Sequence, residues 1–242
     1  MRRAGLIFGL ALACAAPVAQ ATPPDFIQIH DQLLAVSAES LFLLRTSNDN
    51  LGLYDAEIRT IALIELDRKT GAETVWPAYA ARHNPDPDKG VAPYFQLVRP
   101  LDLPGTANPF ERLRAQNAQP TLPFDTDTPP ARIDVTDGHL TVRGDDGTIT
   151  QTDLAALTQI AGQNLEAYGA RMDYRRFGVL SFGQVLDSTS FSLDRCRPAE
   201  AWQIRDMILP VLPTVIRLDC GDAEGEDLIQ TSLILLIPPA AP

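Results

Sequence analysis

One short segment of the chain is a cluster of basic and aromatic residues, Arg171-Met172-Asp173-Tyr174-Arg175-Arg176-Phe177. Guanidinium groups bind carboxylates and phosphates through paired hydrogen bonds, and they also stack on aromatic rings. Arg171, Tyr174, Arg175 and Arg176 are therefore candidate ligand-binding residues for a carboxylate, a phosphate or an acidic sugar. The alternative is that these arginines pair with the 31 Asp and Glu residues of the chain itself, and the excess of carboxylates favours self-pairing.

Residue types that carry catalysis are present without the spacing that catalysis needs. The chain contains no His-Glu-x-x-His motif, no Gly-rich phosphate loop and no Gly-x-Ser-x-Gly elbow. Its three histidines are isolated in the sequence, which excludes a conventional multi-histidine zinc site. The acidic segments 145–147 and 219–227 lack the ligand offsets of an EF-hand, so we expect turns there. No catalytic residue, metal or cofactor is predicted.

Two cysteines, Cys196 and Cys220, lie in the C-terminal part of the chain. A single cysteine pair in an oxidising compartment most simply forms a disulfide. The alternative, a redox-active pair, usually has closely spaced thiols, and the wide spacing here disfavours it. We therefore predict a structural disulfide.

The N-terminal segment 1–21 has the pattern of a cleavable secretory signal peptide. Arg2 and Arg3 precede a short apolar run, and Ala19-Gln20-Ala21 fits a cleavage site with small residues. Cleavage after Ala21 predicts a periplasmic or extracellular protein. A lipid anchor on Cys14 is the alternative, but Ala11 stands where such sites usually carry leucine. No later apolar run is long enough for a membrane helix.

The charge of the chain limits its partners. The formal net charge is −11 at pH 7, and removing the leader with its two arginines makes it about two units more negative. Nucleic acids and anionic lipids require a basic surface, so neither is expected as a partner. The surplus of carboxylates is explained by solubility, or alternatively by an acidic binding surface.

The strongest strand pattern lies between Ser40 and Tyr79. We predict a three-stranded meander there, with a turn at 47–50, a partly alternating strand over 57–66, and a hairpin turn that ends at Gly71. On the central strand, Ile58, Thr60, Ala62, Ile64 and Leu66 share one face. No second copy of the segment is found, which argues against a β-propeller.

Further elements follow the meander. Residues 84–130 are rich in proline and are read as a packed excursion or as a linker between two lobes, with a helix starting after Asn108. Strands are expected around 133–142, at 214–218 and at 228–237, and a short helix over 198–204. The one main amphipathic helix is expected to begin after Thr152 as its cap, and its apolar side carries Leu154, Leu157, Ala161, Leu165 and Tyr168.

The sequence thus predicts a single α+β domain over residues 22–242, with a mainly antiparallel sheet of meanders and hairpins. Its expected function is that of a non-enzymatic binding or accessory module, with a possible protein partner outside the cytoplasm. The alternatives are a carboxylate-dependent hydrolase acting on a glycan and a small-anion-binding protein. A glycosidase needs two carboxylates at a set separation, which the sequence cannot identify among so many.

Overall fold

The computed structural model describes residues 26–50, 57–83, 96–98, 108–120, 131–144, 147–172, 196–203, 214–222 and 228–237. The predicted signal peptide with Cys14, the residues Tyr174, Arg175 and Arg176, and most of the proline-rich segment 84–130 lie outside these ranges.

The described residues form twelve strands and two helices. The N-terminal strands are β1 (Phe26–Val36), β2 (Ser40–Asp49), β3 (Glu57–Asp67) and β4 (Glu73–His83). The central elements are β5 (Gln96–Val98), α1 (Pro109–Ala115), β6 (Gln119–Pro120), β7 (Arg132–Thr136), β8 (His139–Arg143), β9 (Ile149–Asp153) and α2 (Leu154–Met172). The last strands are β10 (Cys196–Gln203), β11 (Thr214–Asp222) and β12 (Leu228–Ile237).

Nine strands form one large sheet in the order β10-β11-β12-β1-β2-β3-β4-β5, with β6 also paired to β1. Every strand pair in it is antiparallel except β1 with β12, which is parallel. Strands β7, β8 and β9 form a separate antiparallel sheet. This architecture confirms the predicted α+β class with a mainly antiparallel sheet.

One face of the large sheet, here called the helix face, carries the main hydrophobic core. Helix α2 packs on it through the predicted apolar side chains, of which Leu154 is partly buried and the others are buried: Leu157, Ala161, Leu165 and Tyr168. The small sheet covers the same face with Leu140 and Val142. The predicted buried face of β3 is confirmed, since Ile58, Thr60, Ala62, Ile64 and Leu66 are all buried there.

The opposite face, here called the open face, is covered at one end by α1. Leu113 packs near Phe42 and Leu63 in a second, smaller apolar cluster. The Glu65 carboxylate beneath the helix accepts hydrogen bonds from Arg112 Nε at 3.0 Å, Gln116 Nε2 at 2.6 Å, Ser40 Oγ at 3.0 Å and Trp76 Nε1 at 3.1 Å. A helix of seven residues is too short to be stable alone, so this docking holds it in place.

The predicted turn at Gly71 and the predicted cap of α1 agree with the structure, whereas the cap of α2 differs by one residue. Gly71 has a φ of 71°, and Asp137 and Gly138 both have positive φ, as a tight two-residue hairpin turn requires. Asn108 caps α1 by accepting a hydrogen bond from Phe110 N at 3.0 Å. At the start of α2 the cap is Asp153 rather than Thr152, because Asp153 Oδ1 accepts from Ala155 N at 2.8 Å.

Three local predictions are wrong. The turn expected at 219–227 cannot begin at Asp219, because β11 continues to Asp222 in pairing with β12. The expected turn at 47–50 is a continuation of β2 as far as Asp49, paired with β3 along its whole length. The expected helix at 198–204 is strand β10. Its alanine and glutamate residues favour a helix, but intrinsic propensity is a small effect and pairing with β11 outweighs it. Pro198 is accommodated because β10 lies at the sheet edge and has a bulge between Pro198 and Glu200.

Candidate functional site

The part of the open face that α1 leaves uncovered carries two rows of side chains running across the strands. The register aligns the first row over seven strands as Arg197, Asp219, Ser232, His30, Thr46, Ile61 and Tyr79. It aligns the second row, two residues further along each strand, as Gly221, Gln230, Gln28, Asn48 and Arg59. We call the surface formed by these two rows the polar groove.

The polar groove is a shallow depression of about 1150 Å³. Its rows point away from the core, because successive side chains of a strand alternate between the two faces. Gln28, His30 and Gln230 are exposed, whereas their neighbours Ile29 and Thr231 are buried on the helix face. The groove is therefore a solvated sheet face whose floor is fixed by the core behind it.

Uncharged hydrogen-bonding groups occupy the middle of the groove. Gln230, Gln28 and Asn48 stand side by side on three neighbouring strands. Gln28 and Gln230 are exposed, whereas the Asn48 Oδ1 atom is buried and has no hydrogen-bond partner among the described residues. Each amide offers both donors and an acceptor. The exposed amides of Gln28 and Gln230 thus present both donors and acceptors at the centre of the groove.

Charged residues lie toward the ends of the groove, and Arg197 is exposed at one of them. Arg59 forms an ion pair with Glu57 at 3.0 Å. The Asp219 carboxylate accepts a hydrogen bond from Ser232 Oγ at 2.8 Å, and Ser232 Oγ in turn accepts one from Arg217 Nη1 at 2.8 Å. Among the described residues that line the groove, Asp219 is the one carboxylate.

Behind the groove, on the helix face, lies a fully buried ion cluster. Arg45 donates from Nε and Nη2 to Asp31 at 2.7 and 2.8 Å, and from Nη1 and Nη2 to Glu73 at 2.9 Å. Its guanidinium carbon lies 5.4 Å from the centre of the Tyr168 ring. Burial opposes the charge of Arg45, but the two carboxylates outweigh burial and raise the pKa of its guanidinium. One guanidinium thus serves two buried carboxylates inside the core.

The cluster ties together the strands that carry the groove and the helix that covers the core. Asp31 Oδ2 also accepts a hydrogen bond from Ile234 N at 3.1 Å, beyond the point where β1 and β12 stop pairing. The Tyr168 hydroxyl is hydrogen-bonded to Thr60 on β3, and burial, opposed by that bond, raises the pKa of the phenol to about 12. Ionic and hydroxyl contacts together fix β1, β2, β3, β4, β12 and α2 relative to one another.

The sequence-predicted site residues are only partly described by the structure. Arg171 lies in the last turn of α2, on the opposite side of the sheet from the groove, and its Nε lies 3.5 Å from Val75 O. Since Tyr174, Arg175 and Arg176 lie outside the described residues, whether the four gather into an anion site stays a prediction.

The predicted disulfide is present. Cys196 and Cys220 are register partners on β10 and β11, with Cα atoms 4.0 Å apart and a bonded sulfur pair. The neighbouring residues Arg197 and Asp219 begin the first row of the groove. The disulfide therefore holds together the two strands at one end of the groove.

The polar groove itself was missed from the sequence. Its residues are spread over seven strands between positions 28 and 232, and none belongs to a motif. The sequence did contain one signal: in each strand, polar residues that alternate with apolar ones, such as Gln28 and His30, are expected to face outward. Alternation predicts which residues face outward, but it does not predict which strands lie side by side.

The described residues contain no group of three or more His, Cys, Asp or Glu side chains placed to hold a metal ion. Neither described helix is long and apolar enough to cross a membrane. In comparisons with known proteins, no family model, no curated protein and no solved structure matches this chain.

Proposed function

We propose that this protein is a non-enzymatic binding module that works outside the cytoplasm and uses the polar groove as its binding surface. The observation that carries the proposal is the alignment of two rows of outward polar side chains across a rigid sheet. Binding sites need groups that are positioned by a scaffold and remain free to contact a ligand. Gln28 and Gln230 meet both conditions, because both are exposed on strands in the interior of the sheet.

Two features support the location and one supports a role without catalysis. The Cys196–Cys220 disulfide is compatible with an oxidising compartment, and the segment 1–21 has the pattern of a cleaved leader. A glycoside hydrolase needs two carboxylates flanking the bond that breaks. Asp219, with no second carboxylate among the described lining residues, does not supply that pair.

The test is chemical crosslinking in the native host, followed by capture of the tagged protein in three forms. The forms are the wild type, Gln28→Trp, which places a bulky ring in the middle of the groove, and Gln159→Trp as the matched control. Gln159 is an exposed glutamine on α2, across the sheet from the groove. Both substitutions are at exposed sites, so neither should unfold the protein.

We expect a reproducible captured species with the wild type and with Gln159→Trp, and its loss with Gln28→Trp. Capture that is equal in all three forms, or no captured species at all, would overturn the proposal. Turnover of a substrate by the purified protein that Asp219→Asn abolishes would replace it with the hydrolase alternative.

A further inference from the structure

The dimensions of the polar groove favour a chain-like ligand over a compact one. The first row crosses seven strands, from Arg197 to Tyr79. Neighbouring strands lie about 4.8 Å apart, so the row is roughly 29 Å long. The two rows are separated by two residues along each strand, which is roughly 7 Å. A surface this long and narrow fits an extended polymer lying across the strands.

The position of the groove argues against an extended peptide. Peptides bind sheets mainly by adding a strand at an edge, where backbone groups are unpaired. The centre of the groove, from Gln230 to Asn48, lies on β12, β1 and β2, in the interior of the sheet. Their backbone groups are paired with neighbouring strands in the registers described above. Recognition here depends on side chains alone.

The side chains match the chemistry of a carbohydrate. Sugar hydroxyls both donate and accept hydrogen bonds, and the exposed amides of Gln28 and Gln230 do the same. At one end, Ile61 and Tyr79 provide an apolar and aromatic surface that suits the apolar face of a sugar ring. The length of a pyranose unit is close to the spacing between strands, so successive sugars meet successive strands.

The charged residues of the groove lie toward its ends, with Arg197 exposed at one of them, and its middle is uncharged. Arg59 is paired with Glu57, and Asp219 is bonded to Ser232. The chain as a whole carries a formal charge of −11, which repels a polyanion at long range. Neutral hydrogen-bonding groups fill the middle of the groove, where most of the contact would occur.

We propose, resting on the function proposed above, that the polar groove binds an extended, uncharged polysaccharide that lies across the strands and packs one sugar ring near Tyr79. The purified protein is first run on native gels that contain dextran, mixed-linkage β-glucan, xylan or mannan, with polygalacturonate as the acidic comparison. Oligosaccharides of two to six units from the polysaccharide that retards the protein are then titrated by calorimetry.

We expect a neutral polysaccharide to retard the protein, and affinity to rise at least tenfold between the disaccharide and the pentasaccharide. Tyr79→Ala and Gln28→Ala should each weaken binding about tenfold, the size expected for one lost stacking or hydrogen-bonding contact. The matched control Gln159→Ala should change affinity less than about twofold, since surface changes away from a site have little effect.

Equal affinity for the disaccharide and the pentasaccharide would overturn the proposal, because it indicates a compact site. Retardation by polygalacturonate alone, or by none of the polysaccharides, would also overturn it. The function proposed above survives that result if Gln28→Trp still loses its captured species in the host. If Gln28→Trp captures the same species as the wild type does, both proposals fail.

Discussion

Replacing Arg45 by methionine tests whether the buried ion cluster holds the sheet and α2 together. The substitution keeps most of the apolar volume and removes the charge. Asp31 and Glu73 then remain in the core, with side chains that are 0% and 2% exposed and no cation beside them. Removing one partner of a buried ion pair costs about 3–5 kcal/mol, because the remaining charge is left without compensation.

The assay is urea unfolding followed by circular dichroism. With an m-value of about 2 kcal/mol/M, the expected loss lowers the unfolding midpoint by roughly 1.5–2.5 M. The matched control is Arg143→Met, since Arg143 pairs with Asp134 at 3.5 Å and both side chains are more than half exposed. An exposed pair contributes at most about 1 kcal/mol, which predicts a midpoint shift of no more than roughly 0.5 M.

The pH dependence gives an independent check on the same variant. Burial already raises the pKa of Glu73 in the wild type, although Arg45 opposes this effect. A carboxyl group with a raised pKa in the folded state stabilises the protein below its unfolded pKa, and that contribution is lost as pH rises through the folded pKa. Arg45→Met removes the opposing charge, so the variant should regain stability as the pH falls from 7 to 5.

Adding Asp31→Asn and Glu73→Gln to Arg45→Met removes the buried negative charges and should restore much of the midpoint. The reasoning is refuted if Arg45→Met shifts the midpoint no more than Arg143→Met does. It is also refuted if the destabilisation of Arg45→Met is independent of pH, because the lost stability would then not arise from buried carboxylates.

Two further predictions concern the disulfide between β10 and β11 and the docking of α1 on Glu65. Replacing Cys196 and Cys220 together by alanine should cost about 3.5 kcal/mol, the chain-entropy value for a loop of this length; the urea midpoint should fall and become insensitive to a reducing agent, and a double variant as stable as the oxidised wild type would contradict this. For Glu65, burial would raise the pKa, but hydrogen bonds, first from Arg112 and then from Ser40, lower it. Its contribution is therefore present above its usual pKa of about 4.5 and is lost as pH falls through the lowered value. Glu65→Gln should reduce stability at pH 7 and narrow the difference between the midpoints at pH 7 and pH 3, and an unchanged difference would show that Glu65 does not hold α1.

The sequence predicted the elements whose signals are local. The alternation from Ile58 to Leu66 identified the buried face of β3, because a period of two leaves one way to bury the apolar side. The spacing of Leu157, Ala161 and Leu165 identified α2, because these residues share one helical face. In each case the spacing of the apolar residues follows from the burial of one face of a single strand or helix.

The sequence failed where long-range pairing overrides local preference. Ser47 and Asp49 are typical turn residues, yet both are buried within β2 on the helix face. Polar residues at core positions require partners from distant elements, such as Thr60 for Ser47, and no local pattern reveals them. The segment from Pro198 was misassigned for the same reason, since its strand pairs with β11.

The polar groove was unpredictable because it depends on the order of the strands. His30 meets Ser232 only because β1 pairs in parallel with β12, two strands at opposite ends of the chain. The alternation within each strand predicts which of its side chains face outward. Their alignment into rows is a property of topology and register, which composition and spacing do not determine.

The most direct test of the polar groove as the binding surface places a photoreactive amino acid at Gln28, in the middle of the groove, and in a second form at Glu166. Glu166 is exposed on α2, on the other side of the sheet. Both forms are produced in the native host, illuminated there, and analysed by mass spectrometry. We predict a defined covalent adduct from Gln28 and none from Glu166. Adducts from Glu166 alone, or none from Gln28, would contradict the assignment of this face as the binding surface.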